Sequence, residues 1–308
     1  MKSTDRRTFL RQLTVGSAIA AGISLRPAKA EEEVASKKAM GVLVDTAVCV
    51  GCRSCEWACK TAHNIPAGDI EDYHDRSVFK EFRRPDHTSY CVINEFPNED
   101  PNKLPLNVKY QCMHCLEPAC VSACIVGAFT KHETGPVTWD SSKCIGCRYC
   151  MVACPFQIPT FEYEKAIQPN ITKCDFCYER IQDGKIPACV QICPVEAMIY
   201  GPREDLIAIA RERISRYPEK YVDRIFGERV VGGTSWMYLA PVDFEKLKFP
   251  PLGTKPAPGV TEAIQHGIFA YFIPPLALFS WLGGVMWLNK RKEAILKEVE
   301  KMEEKENE

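Results

Sequence analysis

This chain carries no excess of charge of either sign. Its formal net charge is −1, so nothing in the composition marks a nucleic-acid surface. A glycine-rich phosphate loop is missing too, as are an HExxH helix and a Ser–His–Asp order that could seat a nucleophile. These gaps leave no catalytic residue to assign. What the chain has instead is cysteine, 17 in 308 residues. Disulfide scaffolds carry such a load in short secreted chains. This chain is long enough for one large domain or two small ones, and its cysteines are clustered. Metal ligation is therefore the expectation.

The tightest cluster is KCIGCRYCMVACP, residues 143–155, with Cys144, Cys147, Cys150 and Cys154. A zinc site draws two close pairs from separated segments. The run C-x2-C-x2-C-x3-C instead resembles the bacterial ferredoxin run, in which the fourth thiolate ligates a neighbouring cluster. Cys49, Cys52, Cys55 and Cys59 repeat the spacing. Cys112, Cys115, Cys120 and Cys124 widen its middle gap by two residues. Cys174, Cys177, Cys189 and Cys193 widen that gap to eleven residues. Thiolate is soft and suits iron–sulfur clusters, and sixteen cysteines in four fours predict four 4Fe-4S clusters. Gly51 and Gly146 give their loops tight bends. Pro155 and Pro194 follow fourth cysteines, where Lys60 and Ile125 stand in the other two runs.

Short strands are expected at Gly41–Asp45, Ala128–Lys131, Pro136–Asp140 and Ala197–Tyr200. IVGAFT and PVEAMIY read as one repeated unit. Residues 40–200 then form the cluster domain and 201–262 an extension. In the extension, residues 202–216 make an amphipathic helix with Leu206, Ile207, Ala210 and Ile214 on one side and Arg211 and Arg213 in solvent. The fold class is α+β: two ferredoxin-like modules of two clusters each, plus a single C-terminal transmembrane helix.

Both ends read as targeting or membrane segments. Residues 1–30 carry Arg6-Arg7, then Phe9 and Leu10, a mild apolar stretch from Leu13 to Leu25, and Ala28-Lys29-Ala30. This resembles a twin-arginine export signal with its cleavage site. The expected location is the periplasmic side of a bacterial inner membrane. Gly267–Leu288 contains no charged residue and is expected to span a bilayer. Lys290, Arg291 and Lys292 follow, placing the tail 289–308 in the cytoplasm by the positive-inside tendency. Trp281 and Trp287 read as belt residues.

Three residues stay open. Cys91, in TSYCVIN, reads as a small core hydrophobe on a half-buried strand. His114, in CMHC, is either a hydrogen-bonding neighbour of a cluster or a solvent-facing loop residue. His266 is either a quinone or haem contact or an interfacial polar residue.

The four runs over residues 40–200 resemble the four-cluster ferredoxin subunits of membrane oxidoreductases that serve molybdopterin reductases and nickel–iron hydrogenases. GGTSWMYLAPVDFEKLKFP (232–250), Gln265-His266 and the apolar terminal segment narrow the resemblance to subunits of membrane-bound uptake hydrogenases of the Hyb type. The resemblance implies that the first run pairs with the last and the second with the third. Cys49, Cys52, Cys55 and Cys193 would hold one cluster, and Cys59, Cys174, Cys177 and Cys189 its neighbour. Cys112, Cys115, Cys120 and Cys154 would hold a third, and Cys124, Cys144, Cys147 and Cys150 the fourth. It also implies an electron-transfer role without a catalytic site. The implied partners are hydrogenase large and small subunits and a multi-helix quinone-reactive membrane protein. A relay for a molybdopterin reductase, a redox-sensing or docking subunit, and a zinc-binding interaction module are the rival readings.

Overall fold

The computed structural model describes residues 39–98, 100, 102–165, 170–259 and 275–295. The export segment 1–30, His266 and the end of the tail lie outside them. In chain order the regular elements begin with β1 (Met40–Asp45) and α1 (Ser54–Ala62), followed by β2 (Cys91–Phe96) and β3 (Leu106–Gln111). Next come α2 (Ala119–Ser122), β4 (Phe129–Lys131), β5 (Val137–Trp139), α3 (Tyr149–Ala153), β6 (Thr160–Phe161) and β7 (Ile171–Thr172). The last are α4 (Tyr178–Gln182), α5 (Ala188–Gln191), β8 (Met198–Pro202), α6 (Arg203–Arg216) and β9 (Trp236–Leu239).

The strand pairing is nested. β1, which leads into the first cysteine run, pairs antiparallel with β8, which follows the last run. β4, which follows the second run, pairs antiparallel with β5, which precedes the third. The outer pair becomes a three-stranded sheet because β9 joins β1 in parallel. β2 and β3 form a separate hairpin beside it.

Period-2 alternation gives the central sheet two buried faces. Leu43, Met237 and Leu239 pack against Leu206, Ala210 and Ile214 of α6. Val42, Val44, Trp236 and Tyr238 face the cysteine side. The helix side matches the expected apolar stripe. α6 also carries Glu204 and Asp205 in its first turn and Arg213 and Arg216 in its last, which suits the helix dipole. Arg213 is not left in solvent: its Nη1 donates to Asp45 Oδ2 at 3.0 Å. The helices beside the cysteines are one or two turns long, too short to hold their shape alone.

The C-terminal transmembrane helix of the expected fold class is corrected. The described part of Gly267–Leu288 belongs to a helix over 275–295, and no helix among the described residues is long and apolar enough to cross a membrane. Lys290, Arg291 and Lys292 lie within that helix. Any stretch of 18 residues within this described helix takes in all three of these cations, and charged side chains are costly in hydrocarbon. What stands is a mixed α/β fold with a ferredoxin-like domain.

Candidate iron–sulfur centre

All four runs turn in the same way at their start. The residue two places after the first cysteine has a positive φ in each: Gly51 (71°), His114 (48°), Gly146 (70°) and Phe176 (67°). In two runs the amide of this left-handed residue itself points back at the first thiol. Gly146 N–H donates to Cys144 Sγ at 3.4 Å, and Phe176 N–H to Cys174 Sγ at 3.4 Å. A second left-handed step falls three places after the fourth cysteine in three runs, at Gly127, Gln157 and Glu196. The third cysteine of each run, Cys55, Cys120, Cys150 or Cys189, sits on a short helix and is buried.

Nested pairing carries the thiols with it. Cys49, Cys52, Cys55 and Cys193 line one cavity together with Val44, Lys109 and Met198. Cys59 faces Cys91, Cys174 and Cys189, and Cys177 faces Cys189. Cys115 faces Cys112, Cys120 and Cys154. Cys150 faces Cys144, Cys147 and Cys124. All seventeen cysteines are free thiols.

The donor set fits a polynuclear cation. Burial, with the facing thiols adding to it, pushes Cys49 up to about 11 and Cys150 and Cys177 up to about 12. Several thiolates crowded into a dry site repel one another, so only bound positive charge lets them all lose their protons. Amide N–H groups directed at sulfur suit the charged form further. Ala128 N–H on Cys124 Sγ at 3.2 Å is another such bond.

Cys91 is not one of the sixteen run cysteines; it is buried on β2, as a core thiol should be, and it hydrogen-bonds the Cys59 thiol. Its thiol donates to the Cys55 carbonyl at 3.6 Å. His114 is wholly buried. Its Nδ1 accepts from Val137 N–H at 2.9 Å, and its ring lies 4.9 Å from that of Phe176. That burial removes the solvent-facing reading. Cys147, by contrast, is exposed. Ile125, Ile145 and Val152, each within five residues of a cysteine of its group, are 69%, 63% and 81% exposed.

Sequence reasoning missed the polar residues behind the thiols. Lys109 and Lys173 are buried. Lys173 Nζ donates to the Cys174 carbonyl at 2.9 Å, and Lys131 Nζ to the Cys115 carbonyl at 2.8 Å. His63 and Asp175 join the first run to the last at 2.7 Å. With Cys177 they form a trio whose ligand atoms lie within 4.8 Å of one another. Asn107, Lys109 and Gln111 occupy every second position of β3, a signal the sequence offers but which reads as a solvent face.

Thiols gathered into facing groups, amides aimed at sulfur and no catalytic constellation define an iron–sulfur protein. Residues 106–203 match a family model described as a 4Fe-4S dicluster domain. A protein of Nitratidesulfovibrio vulgaris is 43% identical over 96% of this chain and 79% of its own length. The hydrogenase-2 operon protein HybA of Escherichia coli O157:H7 is 31% identical over 90% of this chain and 93% of its own. One polypeptide of the anaerobic dimethyl sulfoxide reductase of E. coli K12 is 37% identical over 54% of this chain and 75% of its own. The chain belongs to the HybA family, within a wider group of iron–sulfur electron-transfer subunits of oxidoreductase complexes.

Proposed function

We propose that this chain is a four-cluster relay that carries electrons between a nickel–iron hydrogenase catalytic unit and a quinone-reactive membrane protein. Four ligand sets belong to the proposal: Cys49, Cys52, Cys55 and Cys193; Cys59, Cys174, Cys177 and Cys189; Cys112, Cys115, Cys120 and Cys154; Cys124, Cys144, Cys147 and Cys150. The observation that carries it is the nested strand pairing, which brings the first run to the last and the second to the third. When bound, 4Fe-4S clusters supply reversible one-electron storage. The chain's own part is to hold them with buried thiols, direct amides at their sulfur ligands and keep water away. The exposed Cys147 and its apolar surround suit electron exchange with a partner.

A hydrogenase partner is favoured because similarity to HybA runs over 90% of this chain. Export by the twin-arginine route to the periplasmic side is part of the reading. It rests on Arg6-Arg7 and the apolar stretch after them, and lets clusters be loaded in a reducing compartment first. A molybdopterin reductase is the alternative partner, supported by the resemblance to the dimethyl sulfoxide reductase polypeptide over 54% of this chain.

Gentle anaerobic purification of the complex, followed by iron, sulfide, nickel and molybdenum analysis, tests the reading. Nickel with iron and sulfide sufficient for four clusters is expected. Zinc without sulfide overturns the relay, and molybdenum in place of nickel selects the other partner. Cys147→Ser should impair one cluster and slow quinone reduction while hydrogen oxidation with an artificial dye persists. Equal loss of both activities points to an assembly role.

A further inference from the structure

The polar interior behind the cysteines contains an ammonium group with no carboxylate to balance it. Lys143, Lys165 and Lys185 pair with carboxylates at the surface. Lys109 does not. It lies in the middle of β3 opposite Ile93 of β2 and is 2% exposed. Its Nζ donates to Gln111 Oε1 at 3.1 Å and stands 4.4 Å from the centre of the Trp236 ring.

Gln111 is itself fixed. Its Nε2 donates to Tyr238 Oη at 2.6 Å, and the Tyr238 hydroxyl donates to the Lys109 carbonyl at 2.8 Å. The amide oxygen is thereby turned toward the ammonium. A neutral amide and an aromatic face orient a cation but supply no full negative charge, and an uncompensated buried charge is costly. The countercharge must come from something else in the site.

Cys91, outside the four ligand sets, hydrogen-bonds Lys109 as a thiol, and the cysteines of the first and last runs surround it. Lys109 lines the cavity of Cys49, Cys52, Cys55 and Cys193. Its charge acts on Cys49, Cys55, Cys174, Cys177 and Cys189. All five belong to the outer module formed by the first and last runs.

We propose that Lys109 is the internal countercharge of the outer module and raises the reduction potentials of the two clusters held there. The assignment rests on the four-cluster reading above. Reduction adds one electron and one negative charge to a cluster, with no bond made or broken. A fixed positive charge in a dry site favours the more negative state. Gln111 is the positioning residue that holds the ammonium in place.

The test is an EPR-monitored redox titration of the anaerobically purified complex carrying wild-type chain, Lys109→Met or Lys109→Arg. In the Met variant the midpoint potentials of the two outer clusters should fall while those of the two inner clusters stay put. The Arg variant should keep all four near wild type. Unshifted outer potentials in a fully loaded Met variant overturn the proposal, as does an equal shift of all four. If Lys109→Met loses the outer clusters and Lys109→Arg retains them, the charge is needed to hold the anionic groups, which supports the assignment. If both variants lose them, Lys109 serves packing and the proposal fails. A wild-type chain without four clusters removes the functional reading itself. Unmoved potentials in a loaded variant remove only the lysine's role.

Discussion

His63 Nε2 lies 2.7 Å from Asp175 Oδ1, and the imidazole's other nitrogen lies 2.7 Å from the Cys59 carbonyl. A carboxylate and a carbonyl can only accept, so both ring nitrogens are donors and the ring is an imidazolium. The Asp175 oxygen also accepts from Cys177 N–H at 2.8 Å. The pair thus clamps the end of the first run to the start of the last.

The clamp predicts a pH window. Burial opposes the charged ring, but the Asp175 hydrogen bond and charge prevail and raise His63 above its ordinary value. Burial likewise opposes the carboxylate, and His63 outweighs it and lowers Asp175. The His63 contribution is full below the unfolded histidine pKa of about 6.5 and is lost as pH rises through the higher folded value. The Asp175 contribution is present above about 3.9 and is lost as pH falls through the lower folded value. His63→Gln should therefore cost about 1–3 kcal/mol near pH 5.5, and the gap to wild type should narrow in alkaline buffer. Thermal melts across pH measure this. A gap that widens at high pH contradicts the imidazolium.

Two glycines should respond differently to alanine. A Cβ on Gly51 would stand 2.2 Å from Asn107 Oδ1, and Asn107 Nδ2 holds the Cys49 carbonyl at 3.2 Å. Gly51→Ala adds this clash to left-handed strain of about 1–2 kcal/mol and should lower iron content. At Gly127 a Cβ meets nothing within 4 Å. Gly127→Ala should cost only the strain and keep its iron. Iron and sulfide assays with melting curves compare the two.

Glu56 is a structural acid. It is 1% exposed; its Oε1 accepts from Ile93 N–H at 2.6 Å and Arg83 at 2.6 Å, and its Oε2 from Arg53 at 3.1 Å. Glu56→Ala strands the 7%-exposed Arg53 and should destabilise the chain by about 3–5 kcal/mol. Glu56→Gln should cost less, because it retains acceptor capacity. Denaturant titration of both variants checks the order.

Cys91→Ala should cost roughly 1 kcal/mol of stability and leave iron and sulfide at wild-type levels. Removing this buried thiol takes away its contacts with the Cys55 carbonyl, the Cys59 thiol and Lys109, but none of the sixteen cysteines of the runs. A drop in iron would make Cys91 a ligand.

The cysteine runs and their flanking strands were legible because ligand spacing and period-2 alternation are local signals. The left-handed turns were legible at Gly51 and Gly146 alone. His114 and Phe176 adopt the same turn without the residue that announces it. In β3 polar and apolar residues alternate, the pattern of a half-exposed strand, yet Asn107, Lys109 and Gln111 are buried, because the face opposite Leu106 and Val108 turns to the thiols. Arg213 looked solvated because its partner, Asp45, is 168 residues away. His63 and Asp175, 112 residues apart, meet only through the fold. The apolar terminal segment misled for a different reason: hydropathy over Gly267–Leu288 stops short of Lys290, Arg291 and Lys292, which share the described helix 275–295.

The parallel pairing of β1 with β9 sets an order of events during synthesis. Thr46 donates to the Leu239 carbonyl across 193 residues, so the first cysteine run leaves the ribosome long before its sheet can close. The inner module, whose two runs are joined through the β4–β5 pair, is complete well before that moment. Early-made thiols must therefore wait, unsheltered, for late-made partners. A chain arranged in this way depends on a reducing milieu, and on timely delivery of iron, for as long as translation lasts.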